Sequence, residues 1–172
     1  MIILAGVHGV GKSYLCKRLQ QELSMPTYSA STLIANHKEC ELPKDKLTKD
    51  IDDNQQHLIK AIETIKATTS KFILDAHFCL LDKNGNFVKI HEDVFVKLKP
   101  KAILLLIDDP YTIAKRRKER DGAIVDTHRI ETHQQAEYEH SLAIATKLNI
   151  PHQIYKVEEA HIQVYTFIKS LY

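Results

Sequence analysis

Apolar positions along this chain follow two spacings that take turns. Short continuous runs such as Ile2-Ile3-Leu4, Phe72-Ile73-Leu74 and Ala102 to Ile107 are the width of strands buried on both faces. Between them apolar residues recur every three or four positions, as in Ile51, Leu58, Ile59, Ile62 and Ile65, which is one face of a helix. In order, the pattern predicts a strand at Ile2 to Leu4, a helix from Ser13 to Leu23 and a short strand at Pro26-Thr27-Tyr28-Ser29. Ser29 or Ser31 is placed to cap a helix running to about Lys38, and the polar stretch Leu42 to Lys49, with Pro43, is expected to be loop. A helix from Asp50 to Ala67 begins with carboxylates that suit its dipole, and Lys71 to Asp75 is the third strand.

Ala76 to Ile90 is expected to be irregular around an Asn84-Gly85 turn. Asp93 to Lys99 reads as a short helix stopped before Pro100, and Lys101 to Ile107 as the most strongly marked strand. Asp108-Asp109-Pro110 starts a helix that breaks at Asp121-Gly122. Thr127 to Leu148 forms a long helix, Pro151 to Val157 a fifth strand, and Glu158 to Leu171 a closing helix. Strands alternating with helices specify an α/β fold, a parallel five-stranded sheet covered on both faces, whose ligands sit at the carboxyl ends of the strands.

The first strand opens directly into Gly6-Val7-His8-Gly9-Val10-Gly11-Lys12-Ser13, a complete Walker A phosphate-binding loop in its strand–loop–helix context. Glycines let the backbone curl so that successive N–H groups face phosphate oxygens, and the helix start adds partial positive charge. Lys12 reaches the β- and γ-phosphates of a nucleotide, and the Ser13 hydroxyl is a Mg²⁺ ligand.

Composition bounds what such a loop serves. The chain has 172 residues, 44% hydrophobic and 27% charged, the profile of a single soluble globular domain with a proper core. A net charge of +2 indicates neither nucleic acid nor a protein partner, and leaves both possible. Cys16, Cys40 and Cys79 form no CxxC pair, which suggests reduced thiols in a cytoplasm. The apolar run at Met1 is too short for a secretory leader, and no stretch approaches a membrane span.

Asp75 ends a buried strand at the loop edge, where a Walker B carboxylate holds a Mg²⁺-bound water; a turn or capping aspartate is the plainer reading. His77 points either to the same rim or to solvent. All arginines except Arg18 lie between Arg116 and Arg129. A cation that reaches the transferred phosphoryl group contributes about 10³–10⁵ in rate, whereas a solvated basic helix face contributes nothing to chemistry. His133, Glu137 and His140 share one helix face, a polar surface or a metal set lacking a further ligand. Tyr14, Tyr28 and Phe78 either pack in core and rim or stack a base, and Cys16 is either oxidation-sensitive or a buried helix cysteine.

GVHGVGKS, Asp75-Ala76-His77, the Asn84-Gly85 turn, LKPKAILLLIDDP, Arg116-Arg117 and Thr132-His133-Gln134 recur in one order. Together they resemble the P-loop nucleoside-monophosphate kinases, archaeal-type adenylate kinases and their relatives in particular. The resemblance implies a three-layer kinase fold in a single domain, with a small acceptor-binding insertion at 30–70 and a short lid at 116–127. It also implies Mg-ATP-dependent phosphoryl transfer to a nucleoside monophosphate. By position, Gly6, His8, Gly9, Val10, Gly11, Lys12, Ser13 and Tyr14, with Arg116, would hold ATP. Ser13 and Asp75 would hold Mg²⁺, partly through water, and Lys12, Asp75, Arg117 and Arg120 would be catalytic.

The chain departs from that pattern on the acceptor side. No arginine lies between Ser29 and Lys71, where lysines, Lys38, Lys44, Lys46 and Lys49 among them, are the cations, and lysine cannot reproduce a bidentate guanidinium–phosphate contact. Gln135-Ala136-Glu137-Tyr138 stands where the related kinases carry an Asn-Arg pair. Two alternatives therefore stay open: a kinase of another acceptor, such as a nucleic-acid 5′-hydroxyl or a small molecule, and an ATP-switched binding or assembly ATPase.

Overall fold

A computed structural model of the chain describes residues 1–38, 51–82, 84–157 and 160–172. The expected loop at Leu42 to Lys49, Cys40, and the cations Lys44, Lys46 and Lys49 lie outside the described residues. In chain order the first half runs β1 (Ile2–Ala5), α1 (Lys12–Leu23), β2 (Thr27–Ser29), α2 (Ala30–Lys38), α3 (Ile51–Thr68) and β3 (Ile73–Asp75). It continues with β4 (Cys79–Leu81), β5 (Phe87–Lys89), α4 (Glu92–Leu98), β6 (Ala102–Ile107), α5 (Pro110–Asp121), α6 (Thr127–Leu148), β7 (His152–Lys156) and α7 (Ala160–Ser170).

Five strands pair in the order β2-β3-β1-β6-β7, all parallel. A parallel strand alternates its side chains between two covered faces, which is why the three central strands β3, β1 and β6 are almost wholly apolar, whereas the edge strands β2 and β7 are mixed. Ile3, Ala5, Leu74, Ile103 and Leu105 face the core formed with Ile34 of α2, Leu58 and Ile62 of α3, and Phe95 of α4. Ile2, Leu4, Ile73, Leu104 and Leu106 face the other core, with Leu15 and Leu19 of α1, Ile113 of α5, and Val164 and Ile168 of α7. The three-layer α/β arrangement expected from the apolar pattern is therefore present.

Two features of this frame position the site. Leu4 of β1 lies beside both Asp75 of β3 and Leu104 of β6, so Asp75 emerges level with the start of the glycine loop. Helix α6 passes from one layer to the other, since Ile130 near its start belongs to one core and Ile144 near its end to the other. On the way its Gln134 side chain accepts from the Asp108 amide at 3.0 Å and donates to the Asp108 carbonyl at 2.9 Å, just past β6. The middle of α6 thus crosses the carboxyl edge of the sheet.

The segment expected to be irregular is a hairpin. β4 and β5 pair antiparallel, Cys79 opposite Lys89 and Leu81 opposite Phe87. Asp82 closes the turn, one carboxylate oxygen accepting from the amides of Asn84 and Asn86 at 2.8 Å each, and Gly85 takes a left-handed φ of 79°. Three-residue strands are too short to show a period of two, so only the turn was visible in the pattern.

Candidate functional site

The glycine loop is held by sterics. Gly6 has φ 138°, and a Cβ there would stand 2.6 Å from the Leu106 carbonyl oxygen of β6. Gly9 has φ 86°, and a Cβ there would stand 2.7 Å from the Arg117 Cγ of α5. Both the backbone conformation and the close approach therefore require glycine. α1 starts from Gly11 without a side-chain cap, and its first turn holds no acidic residue. An uncapped helix start with inward-facing amides favours an anion.

Lys12 is only 7% exposed. Its Nζ donates to the Gly6 carbonyl at 2.6 Å and lies 3.4 Å from the Val7 carbonyl, 3.7 Å from Asp75 Oδ1 and 3.5 Å from His77 Nε2. Burial pulls the Lys12 pKa down, with Asp75 the main opposing charge. Burial likewise raises the Asp75 pKa against the pull of Lys12. Each charge offsets the desolvation of the other. Ser13 is exposed at the first helical turn, on the same rim.

Behind this pair lies a carboxylate that sequence reasoning set aside. Glu137 of α6 is 0% exposed. Its oxygens accept from the Phe78 amide at 3.0 and 3.1 Å and from the Cys79 amide at 3.1 Å, and Oε1 stands 3.4 Å from His77 Nδ1. Desolvation raises its pKa, and the two amides are the chief groups favouring the anion. His77 therefore sits between Glu137 at one ring nitrogen and Lys12 at the other. Its ring also meets that of His8 at a centroid distance of 4.3 Å.

The rest of that helix face explains why it is polar. His133 Nε2 lies 3.1 Å from the Cys79 carbonyl, and His140 Nε2 lies 2.7 Å from the Ile90 carbonyl. His133, Glu137 and His140 thus clamp the β4–β5 segment to α6. Among the described residues no cluster of His, Cys, Asp or Glu is arranged to hold a metal ion. The signal was the i, i+4, i+7 spacing of polar groups; their burial was not legible.

The arginines separate into different environments. Arg116 Nη1 donates to Asp108 Oδ2 at 2.6 Å and to the Val10 carbonyl at 3.3 Å, tying α5 to the loop. Arg117 lays its stem against Gly9, and its Nε is buried without a hydrogen-bond partner. Arg120 is exposed and forks onto Asp121 next to it. Arg129 of α6 donates to the Gly85 carbonyl and lies over the Phe87 ring at 5.9 Å. Arg116, Arg117 and Arg120 all lie within α5, which Gly122 ends with φ 68°; the expected lid arginines are helical, and only residues 122–126 separate α5 from α6.

Tyr14 is 63% exposed beside Arg18, whereas Phe78 stacks on Phe95 at 4.5 Å and Tyr28 meets Phe72 edge-on at 5.4 Å. Phe78 is core and Tyr28 packs against core. Cys16 is buried, and burial pushes its thiol up to about 12, which leaves it unreactive.

A glycine loop between a buried strand and an uncapped helix, with a lysine and a strand-end carboxylate facing each other beneath it, defines a P-loop phosphate-binding protein. Residues 5–134 match the family model described as AAA domain, and the chain belongs to that family. It is 29% identical over 153 residues to an adenylate kinase of Pyrobaculum aerophilum, spanning 84% of this chain and 78% of that protein. A shikimate kinase of Acinetobacter baumannii, solved with shikimate, superposes with a TM-score of 0.60 at 13% identity over 99% of this chain and 90% of that one. A gluconokinase of Sinorhizobium meliloti 1021 gives 0.54 at 14% identity over 99% and 89%. The fold is therefore that of the P-loop kinases.

Proposed function

We propose that this chain transfers the γ-phosphoryl group of Mg-ATP to a nucleoside monophosphate. The observation that carries the reading is the meeting of Lys12, Asp75 and the uncapped start of α1 at one level of the sheet edge. The loop amides and α1 bind the phosphate chain, and Lys12 turns from the Gly6 carbonyl to the β- and γ-phosphates. Ser13 and Asp75 would hold Mg²⁺, partly through water, which supplies positive charge between the phosphates when bound. Both groups fit that ion: an exposed hydroxyl at the first helical turn and a carboxylate opposite, whose present cation is Lys12 at 3.7 Å. Arg117, lying against Gly9 and otherwise unpartnered at Nε, is the arginine placed to stabilise charge on the moving phosphoryl group. The P. aerophilum adenylate kinase supports the choice of acceptor. The described cysteines Cys16 and Cys79 are free thiols, which favours a cytoplasmic setting.

The arginine-free stretch from Ser29 to Lys71 favours a second reading, transfer to another acceptor such as a nucleic-acid 5′-hydroxyl or a small molecule. Incubation with Mg-ATP and a panel of AMP, CMP, UMP, GMP and a 5′-hydroxyl oligonucleotide decides. Formation of a nucleoside diphosphate from the acceptor supports the first reading. Phosphorylated oligonucleotide supports the second, and ADP without any phosphorylated acceptor leaves the ATP-switched ATPase.

A further inference from the structure

We propose that the acceptor binds in the cleft between the β4–β5 hairpin and the α5–α6 junction, and that it is a nucleoside monophosphate seated there by Arg117, Arg129 and Phe87. The binding claim stands apart from the kinase reading; only its chemistry rests on that reading.

The cleft has a volume of about 380 Å³ and is lined by Val7, Leu81, Phe87, Arg117, Arg129 and His133 among others. That is the size of a small-molecule site. Val7 belongs to the phosphate loop, so the cleft opens beside the nucleotide phosphates. Arg117 joins the two places: its stem touches Gly9 of the loop, its Nε is buried without a hydrogen-bond partner, and the residue lines the cleft. Arg129 is the second cation, its guanidinium over the Phe87 ring. Asp126 is the carboxylate in the lining, and it is engaged at the start of α6, accepting from the His128 amide at 3.1 Å.

Three properties select the ligand. Two guanidinium groups suit a dianionic phosphomonoester more closely than a neutral sugar. Phe87, whose ring meets that of His133 at a centroid distance of 4.7 Å and carries the Arg129 guanidinium at 5.9 Å, is the aromatic side chain in the lining against which the edge of a planar base can pack. Ile124, Val125 and Ile130 complete apolar walls that offer no hydrogen bonds to a polyhydroxyl acid. A hydroxyl acceptor also needs a base to take its proton, whereas a phosphomonoester is already anionic at neutral pH. One of its phosphate oxygens forms the new bond to the γ-phosphorus. The bond from that phosphorus to the β,γ-bridging oxygen breaks, and ADP departs with the electron pair. No proton moves, and charge is conserved. The arginines missing between Ser29 and Lys71 are thereby supplied from α5 and α6.

The test uses the full chain with its loop filled by the β,γ-imido analogue of ATP, titrated calorimetrically with AMP, with shikimate and with gluconate. Ile124 is 90% exposed at the cleft, so exchanging it leaves the fold alone. AMP is expected to bind, Ile124→Asp to weaken it and Ile124→Lys to tighten it, each by roughly three- to tenfold, with ATP-analogue affinity within twofold. Arg129→Gln is expected to weaken AMP by tenfold or more. AMP affinity that ignores all three variants, or moves only as much as ATP-analogue affinity, overturns the proposal. So does AMP failing to bind, and so does shikimate or gluconate binding in its place. AMP bound in the cleft but never phosphorylated overturns the kinase reading and keeps the site; AMP phosphorylated with variant-independent affinity keeps the kinase reading and overturns the site.

Discussion

The two flanks of the glycine loop are built differently. Toward β3 and α6 the charged groups are buried, and each has several partners: Lys12 meets Gly6, Asp75 and His77, and Glu137 meets Phe78, Cys79 and His77. Toward α5 the cations are partly or fully exposed, with one or two partners each, as with Arg116 on Asp108 and Val10 and Arg120 on Asp121. Moving a buried ion exposes its neighbours' desolvation, whereas moving a half-exposed one costs about 1 kcal/mol or less. The first flank is therefore a preorganised floor, and the second is a set of arms that can follow a phosphoryl group.

The largest effect should come from the floor. Lys12→Ala is expected to lower phosphoryl transfer by about 10²–10³ or more, read by steady-state kinetics, with the far-ultraviolet circular dichroism unchanged. Full turnover in that variant would move the chemistry off this flank altogether.

Glu137→Ala asks whether the floor is held from behind. It leaves the Phe78 and Cys79 amides buried without an acceptor, which should cost about 3 kcal/mol and lower Tm by roughly 6–12 °C. Arg116→Ala, which breaks a pair with one side half exposed, should shift Tm by far less. Equal shifts from the two would erase the distinction between the flanks.

Within the arms, Arg117 and Arg120 are the sharper contrast. Arg117→Ala should reduce kcat by roughly 10²–10³ while changing ATP affinity little, because the contact proposed for it would matter most in the transition state. Arg120→Ala, already satisfied by Asp121, should reduce kcat by about threefold or less. The spacing of basic residues could not rank these two, since the rank depends on which of them meets Gly9.

That limit is general to this molecule. The three central strands and the loop were legible because burial on both faces leaves unbroken apolar runs and because a phosphate loop needs glycine at fixed positions, whereas the mixed edge strands β2 and β7 were legible from their place between helices. The hairpin was not, because Cys79–Leu81 and Phe87–Lys89 are each too short for an alternation of period two to show. Glu137 was not, because a carboxylate that accepts buried amides is written with the same letter as one that faces water. The His133, Glu137 and His140 spacing did mark a special face of α6; only the partner segment was missing.

The smallest effect is a pH dependence that separates burial from exposure on that same face. Burial lowers the His133 pKa below its ordinary 6.5, with the Cys79 carbonyl and Glu137 opposing. Below pH 6.5 the unfolded chain then takes up a proton that the folded chain refuses, so stability falls as pH falls until the folded value is reached. The slope from this residue is at most about 1.4 kcal/mol per pH unit. His152, also lowered by burial, adds the same sign, whereas Glu137, raised by burial, loses stability as pH rises above its ordinary 4.5. The comparison that isolates His133 is therefore Tm at pH 7.5 and pH 5.5 for the wild type and for His133→Gln, which can still donate to the Cys79 carbonyl. The wild type should lose more on acidification than the variant. Parallel losses would mean that His133 takes up its proton in the fold as easily as in water, and that the clamp on the hairpin is not dry.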